Sequence, residues 1–228
     1  MTTFDLIDKY MFDHISTSSC VGLNQNACGC CSMVEEMNAI RKAYVTDSNI
    51  DDVISSCVCN RYGHQYCIAQ VAVEAAAGAL LESKVLLSDL QVKPLVKGNK
   101  FVNGFCDFEE LYDFVHSVIG GISGIGPLTI YDTAKRIGHL LQPVIYPKQY
   151  VYLAAGAKEG AETLLGMKPL KFREPIQMFE PYFGTFPSIF IEDMLCIYKD
   201  IYVKGGVGNA TVSPSQAHGK QTVCNVII

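Results

Sequence analysis

A glycine-containing turn between two predicted helices holds the residue types best suited to chemistry. It reads Ile122-Ser-Gly-Ile-Gly-Pro-Leu-Thr-Ile130, and Pro127 stands at the first position of the second helix, where proline is accepted. Glycines allow positive φ and let a ligand approach the bare main chain. The free amides at a helix N-terminus add hydrogen-bond donors and a partial positive charge. The segment therefore predicts anion binding by the backbone, which suits a phosphate.

Side chains on both sides of the turn would complete such a site. We expect Ile125 to fill the gap between the two helices. Basic side chains on the far side of the second helix, Lys135 and Arg136, would reach a flanking phosphate. The predicted contact residues are Gly124, Ile125, Gly126, Leu128, Thr129, Lys135 and Arg136.

The turn resembles the helix-hairpin-helix family, whose hairpin is typically an apolar-Gly-apolar-Gly sequence. Gly124 and Gly126 match its two glycines, and Ile125 matches the apolar residue between them. The resemblance covers the segment 107–141 and implies binding to the backbone of DNA or RNA with little base specificity. Ile130 departs from the family, which often has a small residue shortly after the second glycine, so the helices would pack differently.

Two further interpretations of the turn remain open. The longer string from 124 to 138, followed by 151–153 and 156–161, is similar to a set of small uncharacterised bacterial helical proteins, which implies no activity. The alternative is that the glycines form a helix-turn-helix corner with a purely structural or protein-docking role.

The residues in and after the turn favour binding over catalysis. Helix-hairpin-helix DNA glycosylases that act through a Schiff base have a lysine two residues after the second hairpin glycine, where this chain has Leu128, and an aspartate further on, where it has Pro147. The sequence has no Walker loop, His-Glu-x-x-His or Gly-x-Ser-x-Gly element. A cysteine-histidine nucleophile pair stays open, but no spacing selects one. The sequence therefore favours a non-enzymatic role without deciding the question, and an enzyme of unidentified reaction is a third option.

Ten cysteines form the other chemically suggestive set. The weak candidates for a zinc site are Cys28, Cys30, Cys31, Cys57, Cys59, His64 and Cys67. The first three of these cysteines lie in one loop region, and the other candidates lie in a second. If the two regions converge, their thiolates and one imidazole are ligands that zinc prefers. However, Cys-x-Cys and Cys-Cys are not the usual Cys-x2-Cys pair, so redox-active thiols or inert buried cysteines are alternatives.

The elements that must position these residues are mainly helices. Apolar periodicity predicts helices over 4–15, 33–44, 51–59, 65–81, 107–119, 127–141, 147–153, 157–165 and 188–202. The segment 84–95 is ambiguous between helix and strand, 168–187 is predicted to be an ordered loop, and 205–228 a flexible tail. The fold class is mostly α, a compact multi-helix domain. Its cysteine-bearing region 1–104 and hairpin-bearing region 105–204 are expected to pack as one unit.

Composition limits the class of protein. Hydrophobic residues make up 49% and charged residues 18%, which favours a packed fold over disorder. The formal net charge is -5, but the segment 120–173 has seven Lys and Arg against three Asp and Glu. The start carries aspartates instead of a signal-peptide pattern, and no apolar run is long enough to span a bilayer. We therefore expect a cytoplasmic protein without a membrane segment.

An aromatic segment, 172–186, motivates the main rival to nucleic-acid binding. Its aromatic side chains are Phe172, Phe179, Tyr182, Phe183 and Phe186. Such a group would suit a protein partner or self-association. The simpler interpretation is that these side chains cover the core.

Overall fold

The computed structural model describes residues 2–11, 33–46, 49–59, 68–88 and 91–208. These residues are mostly helical, and the sheets among them are antiparallel pairs of short strands. The predicted mostly α fold is therefore confirmed. The described chain divides into two compact units, the first containing the N-terminal helix and residues 147–208, the second running from Glu35 to Tyr146.

The second unit contains the glycine turn. Its helices are α2 (Met33–Thr46), α3 (Ile50–Val58), α4 (Gln70–Glu82), α5 (Phe108–Ile119) and α6 (Pro127–Leu140). Helix α3 packs against α4 and α6, and α5 packs against α4 and α6. Small residues permit this packing: Ala72, Ala76 and Ala77 form the buried face of α4 together with Val73 and Leu80.

Two antiparallel strand pairs connect α4 to α5. Strand β1 (Lys84–Ser88) pairs with β2 (Gln91–Pro94), and β3 (Val96–Lys97) pairs with β4 (Lys100–Phe101). Most of the ambiguous segment 84–95, residues 84–88 and 91–94, is therefore strand. The second forms around Gly98, whose φ of +62° suits a glycine in a tight turn.

The first unit combines α1 with the C-terminal elements. These are α1 (Thr3–Tyr10), β5 (Tyr150–Tyr152), α7 (Ala155–Leu165), β6 (Arg173–Pro175), a 3-10 turn (Ile176–Met178), α8 (Glu180–Phe183), α9 (Ser188–Ile197), a second 3-10 turn (Lys199–Ile201), β7 (Tyr202–Val203) and β8 (Gly206–Val207). Its core is formed mainly by α7 and α9, with Leu6 and Tyr10 of α1 fully buried in it. Tyr10 donates a hydrogen bond of 2.6 Å to Asp193 of α9, which ties α1 to this core.

The prediction of a helix over 147–153 is wrong. Residues Tyr150–Tyr152 form strand β5, which pairs with β6 inside the segment 168–187 that was predicted to be a loop. Pairing with a distant strand decides the conformation of this short aromatic and β-branched stretch. Pro187 is the N-cap of α9, and the hydroxyl group of Ser188, the first helical residue, donates to the carbonyl oxygen of Tyr150.

The position between 104 and 105 lies inside the second unit, where α3 and α6, one from each side of it, pack together. Most of the segment predicted to be a flexible tail lies outside the described residues. In the described part of the chain, no helix is both long enough and apolar enough to cross a membrane.

Candidate nucleic-acid interface at the α5–α6 hairpin

Hydrogen-bonded cap residues set where α5, the helix before the glycine turn, begins and ends. Asp107 is the N-cap of α5, and its carboxylate accepts a hydrogen bond of 2.9 Å from the amide of Glu110. The Glu110 carboxylate in turn accepts from the amide of Cys106 at 2.7 Å, one residue before the position used in a standard capping box. The helix ends at Gly120. Both predicted ends of α5 are therefore confirmed.

The turn itself depends on Gly124. Its φ is +92°, a conformation that L side chains rarely adopt, and the residue is exposed. The amide of Ile125 donates to the carbonyl oxygen of Ile122 at 3.1 Å, which closes the turn. Ile125 is 8% exposed and is therefore buried beside the turn, while its place between the two helices stays a prediction.

Helix α6 begins without a side-chain cap. Gly126 is its N-cap, with the extended backbone usual at that position, and Pro127 follows at the first helical position. The first intrahelical bond runs from the amide of Ile130 to the carbonyl oxygen of Gly126 at 3.0 Å. The amides of Leu128 and Thr129 precede this bond. Gly126 has no side chain that could accept a hydrogen bond from either of them, so the N-cap leaves both donors without a capping partner.

A second helix start lies beside the turn. A Cβ placed on Gly124 would be 3.4 Å from the Cβ of Ala72, which belongs to the first turn of α4. The N-cap of α4 is Ala69, whose side chain cannot accept a hydrogen bond. The starts of α4 and α6 thus both place partial positive charge near Gly124. Sequence reasoning missed Ala72, because it contacts the turn only in the tertiary structure.

The two basic residues of the predicted interface occupy the interior. Lys135 is 8% exposed and Arg136 is 5% exposed. Lys135 pairs with Asp132 at 2.9 Å, and its ammonium also lies 5.2 Å from the centre of the Tyr131 ring. Arg136 lies 3.7 Å from Asp132 and donates to the carbonyl oxygen of Cys57 at 2.9 Å. The expectation that both side chains face outward does not match this arrangement, because the carboxylate of Asp132 and the C-terminus of α3 hold their charges inside the unit.

Two titratable groups of α6 reflect this environment. Burial acts to raise the pKa of Asp132, but Lys135 and Arg136 outweigh it and hold that pKa below its ordinary value. Burial and the positive charge of Arg41 lower the pKa of His139. The His139 Nε2 is enclosed and has no hydrogen-bond partner among the described residues. Burial and neighbouring charges within the second unit therefore set the pKa of each group.

The predicted zinc ligands fall mainly outside the described residues. Cys28, Cys30, Cys31, His64 and Cys67 belong to that part of the chain. Of the remaining two candidates, Cys57 is buried in α3 and Cys59 is half-buried just after it. Within the described ranges, no three His, Cys, Asp or Glu side chains come together in a way that could hold a metal ion. The zinc site stays a prediction.

The aromatic segment 172–186 contributes to the core of the first unit. Phe179 is fully buried and Phe183 is 2% exposed. Phe172, Tyr182 and Phe186 are half-buried. The ring centre of Phe186 is 6.3 Å from that of Tyr10 in an edge-to-face arrangement. This geometry favours the interpretation that these side chains cover the core over that of an exposed docking patch.

Comparison with protein-family models, curated proteins and solved structures finds no match to this chain. The function must therefore be inferred from the geometry of the hairpin.

Proposed function

We propose that the α5–α6 hairpin binds the phosphates of a nucleic-acid backbone through main-chain amides, with little dependence on base sequence. The observation that carries this proposal is the exposed, positive-φ Gly124 leading into a helix start that no N-cap side chain covers. A phosphate oxygen accepts hydrogen bonds, and the positive end of the helix dipole favours its charge.

Each residue of the turn has a distinct role in this proposal. Gly124 and Gly126 have no side chain, so a phosphate can approach the main chain closely. Leu128 and Thr129 supply the donating amides, and buried Ile125 holds the turn between the helices. These contacts do not read bases, since sequence is recognised at base edges and not at phosphates.

The basic side chains determine how the binding responds to salt. A protein cation that neutralises one phosphate of a duplex contributes about 0.9 to the slope of log K against log salt. Amides carry no net charge, and Lys135 and Arg136 are engaged with Asp132 in this arrangement. We therefore expect weak binding with a shallow salt dependence, and each basic side chain that left Asp132 for a phosphate would steepen the slope by about 0.9.

The basic residues of the segment 120–173 are divided between the two units. The segment 120–173 has seven basic residues, of which only Lys135 and Arg136 belong to the same unit as the hairpin. The other five, Lys148, Lys158, Lys168, Lys171 and Arg173, belong to the first unit. The basic character of that segment therefore does not add to the local charge within the second unit.

The test is a titration of ¹⁵N-labelled protein with a DNA duplex of arbitrary sequence at two ionic strengths. The expected result is a shift of the amide resonances of Gly124, Leu128 and Thr129 that is larger at the lower ionic strength. A matched RNA duplex is expected to give the same shifts, because both backbones carry phosphates. An absence of shifts in these amides with both duplexes would overturn the proposal and leave the hairpin as a structural corner.

A pair of glycine variants separates the turn from the rest of the surface. Gly124→Val places a branched side chain at a positive φ and over the proposed phosphate position, so binding should be lost. Gly121→Val is the matched control, because Gly121 is exposed and a Cβ there meets no atom within 4 Å. Unchanged binding by Gly124→Val would contradict the proposal, with circular dichroism confirming that both variants are folded.

A further inference from the structure

We draw no further inference here: the strongest candidate, the half-buried imidazole of His139 on α6 of the second unit, has an enclosed Nε2 without a hydrogen-bond partner among the described residues, but the influence of the exposed Arg41 on it is electrostatic, and nothing in the described part of the structure indicates a ligand for it.

Discussion

Arg136 on α6 donates a hydrogen bond from Nη1 to the carbonyl oxygen of Cys57 at 2.9 Å. Cys57 lies in the last turn of α3, where carbonyl groups have no partner within the helix. The other terminal nitrogen of Arg136 is 3.7 Å from the carboxylate of Asp132. One buried side chain therefore donates to the end of α3 and lies beside a carboxylate of its own helix, which links α3 to α6.

Replacing Arg136 with methionine should destabilise the second unit. Arg136→Met keeps a long side chain but leaves the carbonyl group of Cys57 without its donor, a loss of about 1–3 kcal/mol for a buried polar group. Urea unfolding followed by circular dichroism would measure the change. Lys97→Met, an exposed position in the same unit, is the control and should stay within about 0.5 kcal/mol of the wild type. Equal effects of the two substitutions would show that the Arg136 contact does not stabilise the fold.

Two helical glycines of the second unit should respond to alanine in opposite directions. A Cβ on Gly138 of α6 would collide with the carbonyl oxygen of Ile145 and lie 3.1 Å from Cδ2 of Leu111. Gly138→Ala should therefore cost about 1–3 kcal/mol through overpacking. A Cβ on Gly78 of α4 meets no atom within 4 Å, so Gly78→Ala should stabilise by about 0.5–1 kcal/mol.

Thermal unfolding of the two alanine variants gives the comparison directly. The midpoint should fall for Gly138→Ala and rise for Gly78→Ala. If both midpoints rose, the gain in helix propensity at Gly138 would exceed the cost of the collision with the carbonyl oxygen of Ile145. That result would contradict the expected overpacking.

The ends of the hairpin helices could be predicted because their signals are local. Asp107 caps α5 through an amide three residues away, Gly120 ends it, and Pro127 opens α6. Ile125, the apolar residue between the two glycines, is buried. Capping and turn chemistry act over a few residues, so the sequence alone contains the necessary information.

The burial of the basic side chains could not be predicted in the same way. Spacing along α6 shows that Asp132 can reach Lys135 and Arg136, but an exposed ion pair has the same spacing. The deciding partner, the carbonyl group of Cys57, is 79 positions away in the sequence. Strand β5 was missed for a similar reason, because its partner β6 lies in a segment that was predicted to be a loop.

Acid should destabilise the second unit through His139. Burial and the charge of Arg41 lower the pKa of His139 in the folded protein, whereas a histidine in an unfolded chain titrates near about 6.5. As the pH falls through that value, the unfolded chain takes up a proton that the folded protein resists. The stability contributed by neutral His139 is therefore present above about pH 6.5 and is lost below it.

The measurement is the free energy of unfolding at several values between about pH 8 and pH 5. His139→Gln should reduce the fall in stability on acidification relative to the wild type. His116→Gln, at an exposed histidine of the same unit, controls for the loss of an imidazole as such. If His139→Gln and the wild type lose stability in parallel, protonation of His139 does not oppose folding.

The proposed phosphate site can be blocked by a substitution that also improves the helix. Gly126 has the extended backbone of an N-cap, and a Cβ there meets no atom within 4 Å. In Gly126→Asp the carboxylate can accept from the amides of Leu128 and Thr129 and places negative charge at the helix start. We expect a gain in stability of about 0.3–1 kcal/mol together with loss of the duplex-induced amide shifts.

Two controls separate the occupation of the amides from the added charge. Gly126→Asn provides a neutral capping side chain, so it should also weaken binding, although less than the aspartate does. Gly121→Asp adds the same charge at an exposed position of the turn without capping α6, and binding should survive at the higher ionic strength, where surface charges are screened. If Gly121→Asp and Gly126→Asp lose binding equally at that ionic strength, net charge alone explains the effect. The amide-binding proposal requires a greater loss in Gly126→Asp, because only that side chain occupies the amides of α6.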